Sequence, residues 1–259
     1  MDNELIIERH GPVARLTVNR PQVRNALSIA IIQRIAQTLR DLSRDRSVRA
    51  FVLTGAGDRV FVSGADVTEF REQLATPEQA LKYDAAAEQL QSALREVPQP
   101  VIARIQGHAV GSGTIVAASC DFRIAVRTAK FGIPVAKFGF LATVPDTLRL
   151  VQLIGTAKAK WLLMTGQLIE ATEAKAIGLI DQVVEAEHLD ATVDALTAIL
   201  AANAPLTIKA TKQIIETFSA PSNNVVSGAP WYAEIFRSAD FREGLEAFFA
   251  KRKPEFTGE

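Results

Sequence analysis

The sequence predicts an α/β fold of repeated ββα units that ends in a helical segment. Three observations carry this reading. Short apolar strands lead into small-residue turns and then into stretches with apolar residues at three- and four-residue steps. The order of these pieces favours ββα units over strictly alternating βα. Beyond about residue 145 the pattern becomes mostly helical.

Taken in order, residues 5–7 and 13–18 read as strands separated by the turn His10-Gly11-Pro12, and Asn19-Arg20-Pro21 breaks the second. From Ser28, a candidate N-cap, Ile29, Ile32, Ile35, Leu39 and Leu42 recur at helical spacing. A strand over 48–53 ends at Gly55-Ala56-Gly57-Asp58. Thr76-Pro77-Glu78-Gln79 has the cap, first-turn proline and glutamine of a helix start, and that helix is expected to reach Val97. Strands over 101–105 and 121–126 flank a glycine-rich stretch, 107–113, and a small apolar one, 114–119. A short strand is expected near 182–184, helices over 186–202, 205–219 and 240–252, and a loop over 219–230. A soft boundary near residue 200 separates a core, 1–200, from a helical C-terminal segment, 201–259.

The chain has 259 residues, 48% apolar and 22% charged, which excludes a disordered, collagen-like or coiled-coil protein. Lys plus Arg and Asp plus Glu each total 29, so no long-range field draws nucleic acid or an anionic membrane. Any bound anion must be held by local arrangement. The single cysteine, Cys120, and three scattered histidines give neither an internal disulfide nor a zinc spacing, and no metal is expected. The acidic opening Met1-Asp2-Asn3-Glu4 is unlike a targeting peptide, and the weakly polar run 109–120 is too short to cross a bilayer. A cytoplasmic location is expected.

Several motifs are missing. Gly55-Ala56-Gly57 and Gly111-Ser112-Gly113 lack the third glycine of a dinucleotide site, and no Walker A sequence occurs. Ser112 has Val110 and Thr114 where a nucleophile elbow has glycines, two residues to either side. His108, four residues upstream, is either its base or a structural histidine. The segments 61–67 and 107–113 carry more, because small residues let backbone approach a ligand and the first N–H groups of a helix lack internal partners. Two such termini facing each other offer two donors to one developing oxyanion. The alternative is that the glycines only permit tight helix–strand packing.

Leu16-Thr17-Val18-Asn19-Arg20-Pro21 with Asn25-Ala26-Leu27-Ser28 resembles the opening signature of the crotonase (enoyl-CoA hydratase/isomerase) superfamily. The two glycine segments resemble its paired oxyanion-hole motifs. Ser119-Cys120-Asp121, Thr165-Gly166, Ala174 to Ile180 and Asp240 to Lys253 resemble its later landmarks. The resemblance implies a crotonase-like spiral of ββα units with a helical C-terminal trimerisation segment, assembled as trimers or as hexamers of paired trimers. It also implies an acyl-CoA thioester as substrate, with coenzyme A entering only as part of that substrate. By motif position, the backbone N–H groups of Ala65 and Ser112 would hold the thioester oxygen. Gln22, Val23, Arg24, Asp66 and Val67, with the turn glycines Gly64 and Gly111, match stretches that embrace CoA. Arg24 and the cluster Lys251-Arg252-Lys253 would meet its phosphates, unless that cluster is only a solvated helix end.

The sequence departs from the family where hydratases carry two glutamates. Ile115 and Val135 stand there, and neither can transfer a proton. Asp146, in Thr143-Val144-Pro145-Asp146, is the first candidate to take over, the alternative being that it caps a helix over 147–154. Asp66, His108, Glu69, Glu88 and Tyr232 are weaker candidates. The expected function is therefore enolate chemistry on an acyl-CoA: isomerisation, decarboxylation, C–C cleavage or a specialised hydration. The alternative is a non-catalytic acyl-CoA binder.

Overall fold

A computed structural model describes residues 3–66, 77–138, 141–219 and 237–259. The chain opens with β1 (Leu5–His10) and β2 (Val13–Val18), an antiparallel hairpin about Gly11. Alternation along β2 buries Ala14, Leu16 and Val18. Helix α1 (Ile29–Leu42) starts where the Ser28 hydroxyl accepts the Ile31 N–H at 3.2 Å, and it buries Ile31, Ile32, Ile35, Ala36 and Leu39.

Three further units follow. The first has β3 (Ala50–Gly55), β4 (Val60–Val62) and α2 (Pro77–Glu96). The second has β5 (Val101–Ile105), β6 (His108–Val110) and α3 (Ser112–Ser119). The third has β7 (Phe122–Val126), β8 (Lys130–Gly132) and α4 (Val144–Thr165). Then come β9 (Ile169–Glu170), α5 (Ala171–Ala176), β10 (Gln182–Val184), α6 (Leu189–Ala202), α7 (Pro205–Ser219) and α8 (Ala239–Ala250). The first strand of each unit joins a six-stranded sheet, β1-β2-β3-β5-β7-β10, and the second joins a four-stranded sheet, β4-β6-β8-β9. Each ββα unit thus advances two sheets at once. The parallel strands β3, β5 and β7 are almost wholly buried, as near-continuous apolar runs require.

Three expectations shift. The strand expected over 48–53 occupies 50–55, because a turn closed by Val48 N–H on Asp45 O consumes the preceding residues and β2 sets the register. The glycine-rich stretch contains a strand, β6, made by pairing with β4 and β8 rather than by its own propensity. Helix α4 begins at Val144 under the Thr143 side chain, not at 147 under Asp146. It leaves helical geometry at Gly155 (φ 74°), beside the expected end, and then resumes to Thr165.

The C-terminal helices pack back on the core. Lys212 of α7 is 8% exposed, and its ammonium donates to Leu94 O, Gln99 O and the Asp121 carboxylate at 2.7–3.2 Å. Burial pushes the Cys120 thiol up to about 12, which leaves it unreactive. Among the described residues no single helix is long and apolar enough to cross a membrane, and no cluster of three His, Cys, Asp or Glu side chains could hold a metal.

Candidate active site

The two glycine turns meet. Leu27 and Ala65 form a parallel bridge: Leu27 N–H donates to Gly64 O at 2.8 Å and Asp66 N–H donates to Leu27 O at 2.9 Å. In that pattern the middle residue turns its own amide the other way, so the Ala65 N–H faces away from Leu27. Ser112 is the first residue of α3, where an N–H has no intrahelical acceptor. Gly64 (φ 122°) and Gly111 (φ 56°) set the two turns in conformations that favour glycine. They also lie face to face: a Cβ on Gly64 would stand 3.4 Å from Val110 O and 3.9 Å from Ser112 N. The parallel pairing of β4 with β6 brings both turns to the same end of the small sheet. Gly113 completes the seat, since a Cβ there would lie 2.0 Å from Val62 O.

Side chains brace both turns. Asp66 is 5% exposed and pairs with Arg20 at 2.9 Å, while Arg20 also reaches Glu4 and Ala26 O at 2.8 Å. Buried Asn25 donates to Ala56 O and Val60 O and accepts the Arg20 N–H. The Thr114 hydroxyl donates to Ala109 O at 2.7 Å and accepts the Gly132 N–H at 3.1 Å, tying α3 to β6 and β8.

The residues expected to hold CoA fall in different places. Gln22 and Val23 lie in a short 3-10 turn, Pro21–Val23, on the surface beside the first glycine turn. Arg24 follows in a left-handed conformation (φ 56°); its carbonyl accepts the Ser63 N–H, and its exposed side chain makes no ion pair among the described residues. Lys251 ends α8 at φ 54°, exposed. Its neighbour Arg252 is committed to Glu243, whose carboxyl is held down to about 2 by that hydrogen bond and by the Glu255 N–H. Val67, Glu69 and Tyr232 lie outside the described residues.

Helix α2 reaches the second turn and, further along, Asp146 of α4. On α2, the half-buried Tyr83 hydroxyl lies 3.0 Å from Ser112 Oγ. Two turns further on, Gln91 Nε2 donates to Asp146 Oδ1. The Asp146 N–H donates to Thr143 Oγ1 at 3.1 Å, so threonine is the cap and the aspartate side chain is left to α2. Burial raises the Asp146 carboxyl to about 6; hydrogen bonds from Thr143 and Gln91 oppose this, and the charge of Asp84 adds to it. One helix therefore touches both Ser112 and Asp146.

Sequence reasoning missed Tyr83 and Gln91. Their signal was a polar pair eight residues apart with Ala87 between, beside the core face formed by Ala86, Leu90, Ala93, Leu94 and Val97. The serine–histidine pair does not form. The partner of Ser112 is Tyr83, and His108 Nδ1 accepts the Lys130 N–H at 3.2 Å on the exposed start of β6. Glu88 pairs with Arg95 at 3.3 Å. Ile115 is 5% exposed in the core, and Val135 packs against that core.

A description of the enoyl-CoA hydratase/isomerase family matches residues 8–259. The short-chain-enoyl-CoA hydratase of Clostridium acetobutylicum is 34% identical over 255 residues, covering 98% of this chain and 97% of that protein. The crotonyl-CoA hydratase of Syntrophomonas wolfei is 34% identical over 254 residues, 97% of each chain. An enoyl-CoA hydratase/carnithine racemase structure from Magnetospirillum magneticum superimposes with a TM-score of 0.95 at 36% identity, covering 99% of this chain and 96% of that one.

Proposed function

Because the chain belongs to the enoyl-CoA hydratase/isomerase family, we propose that it forms and stabilises the enolate of an acyl-CoA thioester and that Asp146 moves the proton. The observation that carries this is the face-to-face packing of the Gly64–Ala65 and Gly111–Ser112 peptides. A thioester oxygen set there receives the Ala65 and Ser112 N–H groups. As charge moves onto that oxygen, each donor contributes ~2.7–4 kcal/mol.

Asp146 supplies the missing acid–base chemistry. With its carboxyl near 6 it is mostly ionised at neutral pH, yet it holds an acquired proton well enough to return it. One such group serves a reaction that takes a proton from one carbon and delivers it to another. Delivering water across a double bond asks for a second proton-transfer group, and Ile115 and Val135 provide none. Double-bond isomerisation of an unsaturated acyl-CoA is accordingly the reading supported best. Decarboxylation, C–C cleavage and a specialised hydration would use the same enolate. Arg24, with Gln22 and Val23, would receive CoA beside the first turn, and Lys251 would meet a phosphate. Asp66, committed to Arg20, would shape the turn. No cofactor beyond substrate CoA is required. Exposed Leu141, Val144, Trp161 and Met164 offer apolar surface for assembly into trimers or hexamers.

The test is a panel of 2-enoyl-, 3-enoyl-, β-keto- and malonyl-type thioesters incubated in D2O and read by mass spectrometry. The expected outcome is carbon-bound deuterium with double-bond migration, reduced ~10²–10⁴-fold by Asp146→Asn. Crotonyl-CoA hydration at ordinary hydratase efficiency would overturn it. Tight binding without exchange or turnover of any thioester would leave a non-catalytic binder.

A further inference from the structure

Gln91 is 2% exposed, and its carboxamide is half used. Nε2 donates to Asp146 Oδ1, while Oε1 is buried without a partner among the described residues. A buried acceptor left unmatched is costly. What it lacks is an O–H, and the neighbouring carboxyl has one whenever it is protonated. An amide presents a donor and an acceptor side by side, the complement of a carboxylic acid.

We propose that Gln91 is the positioning residue for Asp146: its N–H holds the carboxylate, its Oε1 takes the O–H of the acid, and the carboxyl keeps one orientation as its proton comes and goes. This rests on Asp146 being the acid–base group. The balance is simple. The carboxylate takes a proton from a substrate carbon, the C–H electron pair becomes the enolate, and the acid form returns the proton to another carbon. Gln91 gains and loses nothing.

The surroundings leave this role to Gln91. On α2, Asp84 acts on Asp146 as a like charge, and Glu88 gives Oε1 to Arg95 at 3.3 Å, its Oε2 being buried without a partner among the described residues. Helix α3 carries no charged side chain. On α4, Arg149 turns to Ala118 O and to Glu216 of α7, and Lys212 of α7 pairs with Asp121. Lys137, from the 3-10 turn Pro134–Phe138, lies against Gly166 beyond the other end of α4.

The experiment compares Gln91→Met, close in size without donor or acceptor, with wild type, and reads two quantities. One is the pH profile of deuterium exchange. The other is a difference-infrared titration of the Asp146 carboxyl, with Asp146→Asn as the blank. A hydrogen bond to the charged form outweighs one to the neutral form, so its loss should move the Asp146 midpoint up by about one pH unit. kcat near neutral pH should fall about tenfold or more, with KM little changed. Gln91→Glu supplies a second readout if the methionine variant does not fold. The two carboxyls should share one proton, so activity persists at acidic pH and gains a falling alkaline limb as both ionise. A folded Gln91→Met protein with an unmoved infrared midpoint and unchanged kcat overturns the proposal. So does a Gln91→Glu profile identical to wild type. Exchange undiminished in Asp146→Asn would instead overturn the catalytic reading of Asp146, and the infrared midpoint would still decide what Gln91 does.

Discussion

The two walls of the proposed site are built from different materials. One is main chain: amides at Ala65 and Ser112, set by glycine turns at the ends of adjacent parallel strands and braced by Arg20, Asn25 and Thr114. The other is side chain: Tyr83, Gln91 and Asp146, projected from two helices distant in sequence. Main-chain donors tolerate many side chains provided the backbone path is kept, so this wall belongs to the fold. The side-chain wall can be exchanged one residue at a time, and Ile115 and Val135, where the resemblance places two glutamates, lie outside the main-chain wall. On the proposed reading, a family scaffold keeps its charge-stabilising half while its proton-transfer half is rebuilt.

The largest effect should come from cutting the brace of the first wall. Arg20→Met takes the guanidinium away from the Asp66 carboxylate, which is 5% exposed, and breaking such a buried pair costs about 3–5 kcal/mol. Calorimetry should show a melting temperature lower by roughly 6–20 °C. Adding Asp66→Asn should recover part of the loss, because the buried charge is gone. An unaltered melting temperature would mean that the turn is held by something else.

A sharper cut removes one donor only. Proline is best tolerated at the first helical position, where Ser112 stands, and Gly111 (ψ −124°) presents the mirror image of the extended backbone that proline asks of its predecessor. Ser112→Pro therefore deletes the amide with little damage to α3, and kcat should fall ~10²–10³-fold. Ser112→Ala keeps the amide and loses only the hydroxyl shared with Tyr83, so its loss should stay below about tenfold. Equal losses in steady-state kinetics would transfer the role from the amide to the hydroxyl.

The same division explains what the sequence made legible. Glycines at 64, 111 and 113 announce backbone geometry at single positions, so both turns could be found before any contact was known. The pairs Tyr83–Ser112 and Gln91–Asp146 span 29 and 55 residues, and no local pattern says which partner either residue meets. Asp146 stood out as a carboxylate in an atypical stretch. Its freedom to leave the helix end depended on Thr143 taking the cap, which only the helix boundary reveals. Strand β6 was hidden for a related reason, since three residues among glycines become a strand only through neighbours on both sides.

A last comparison sets Asp66 against Asp146 by their effect on folding. Asp66 is matched by a cation, whereas among the described residues Asp146 is matched by neutral donors alone, and burial raises it from the ordinary carboxylate range to about 6. Between about pH 4 and 6 the native state therefore holds a proton that the unfolded chain has released. The contribution of Asp146 to stability is then greatest below about pH 4 and is lost as pH rises through about 6. Asp146→Asn removes that loss while still accepting a hydrogen bond from Gln91 through its amide oxygen. At pH 7.5 the variant should be more stable than wild type by about 1–2 kcal/mol, allowing for partial solvent access, and the gain should vanish near pH 4. Denaturant melts at the two pH values measure this directly. A variant less stable at pH 7.5 would show that the carboxylate is held by attraction rather than confined against its preference, and the reason for its basicity would be gone.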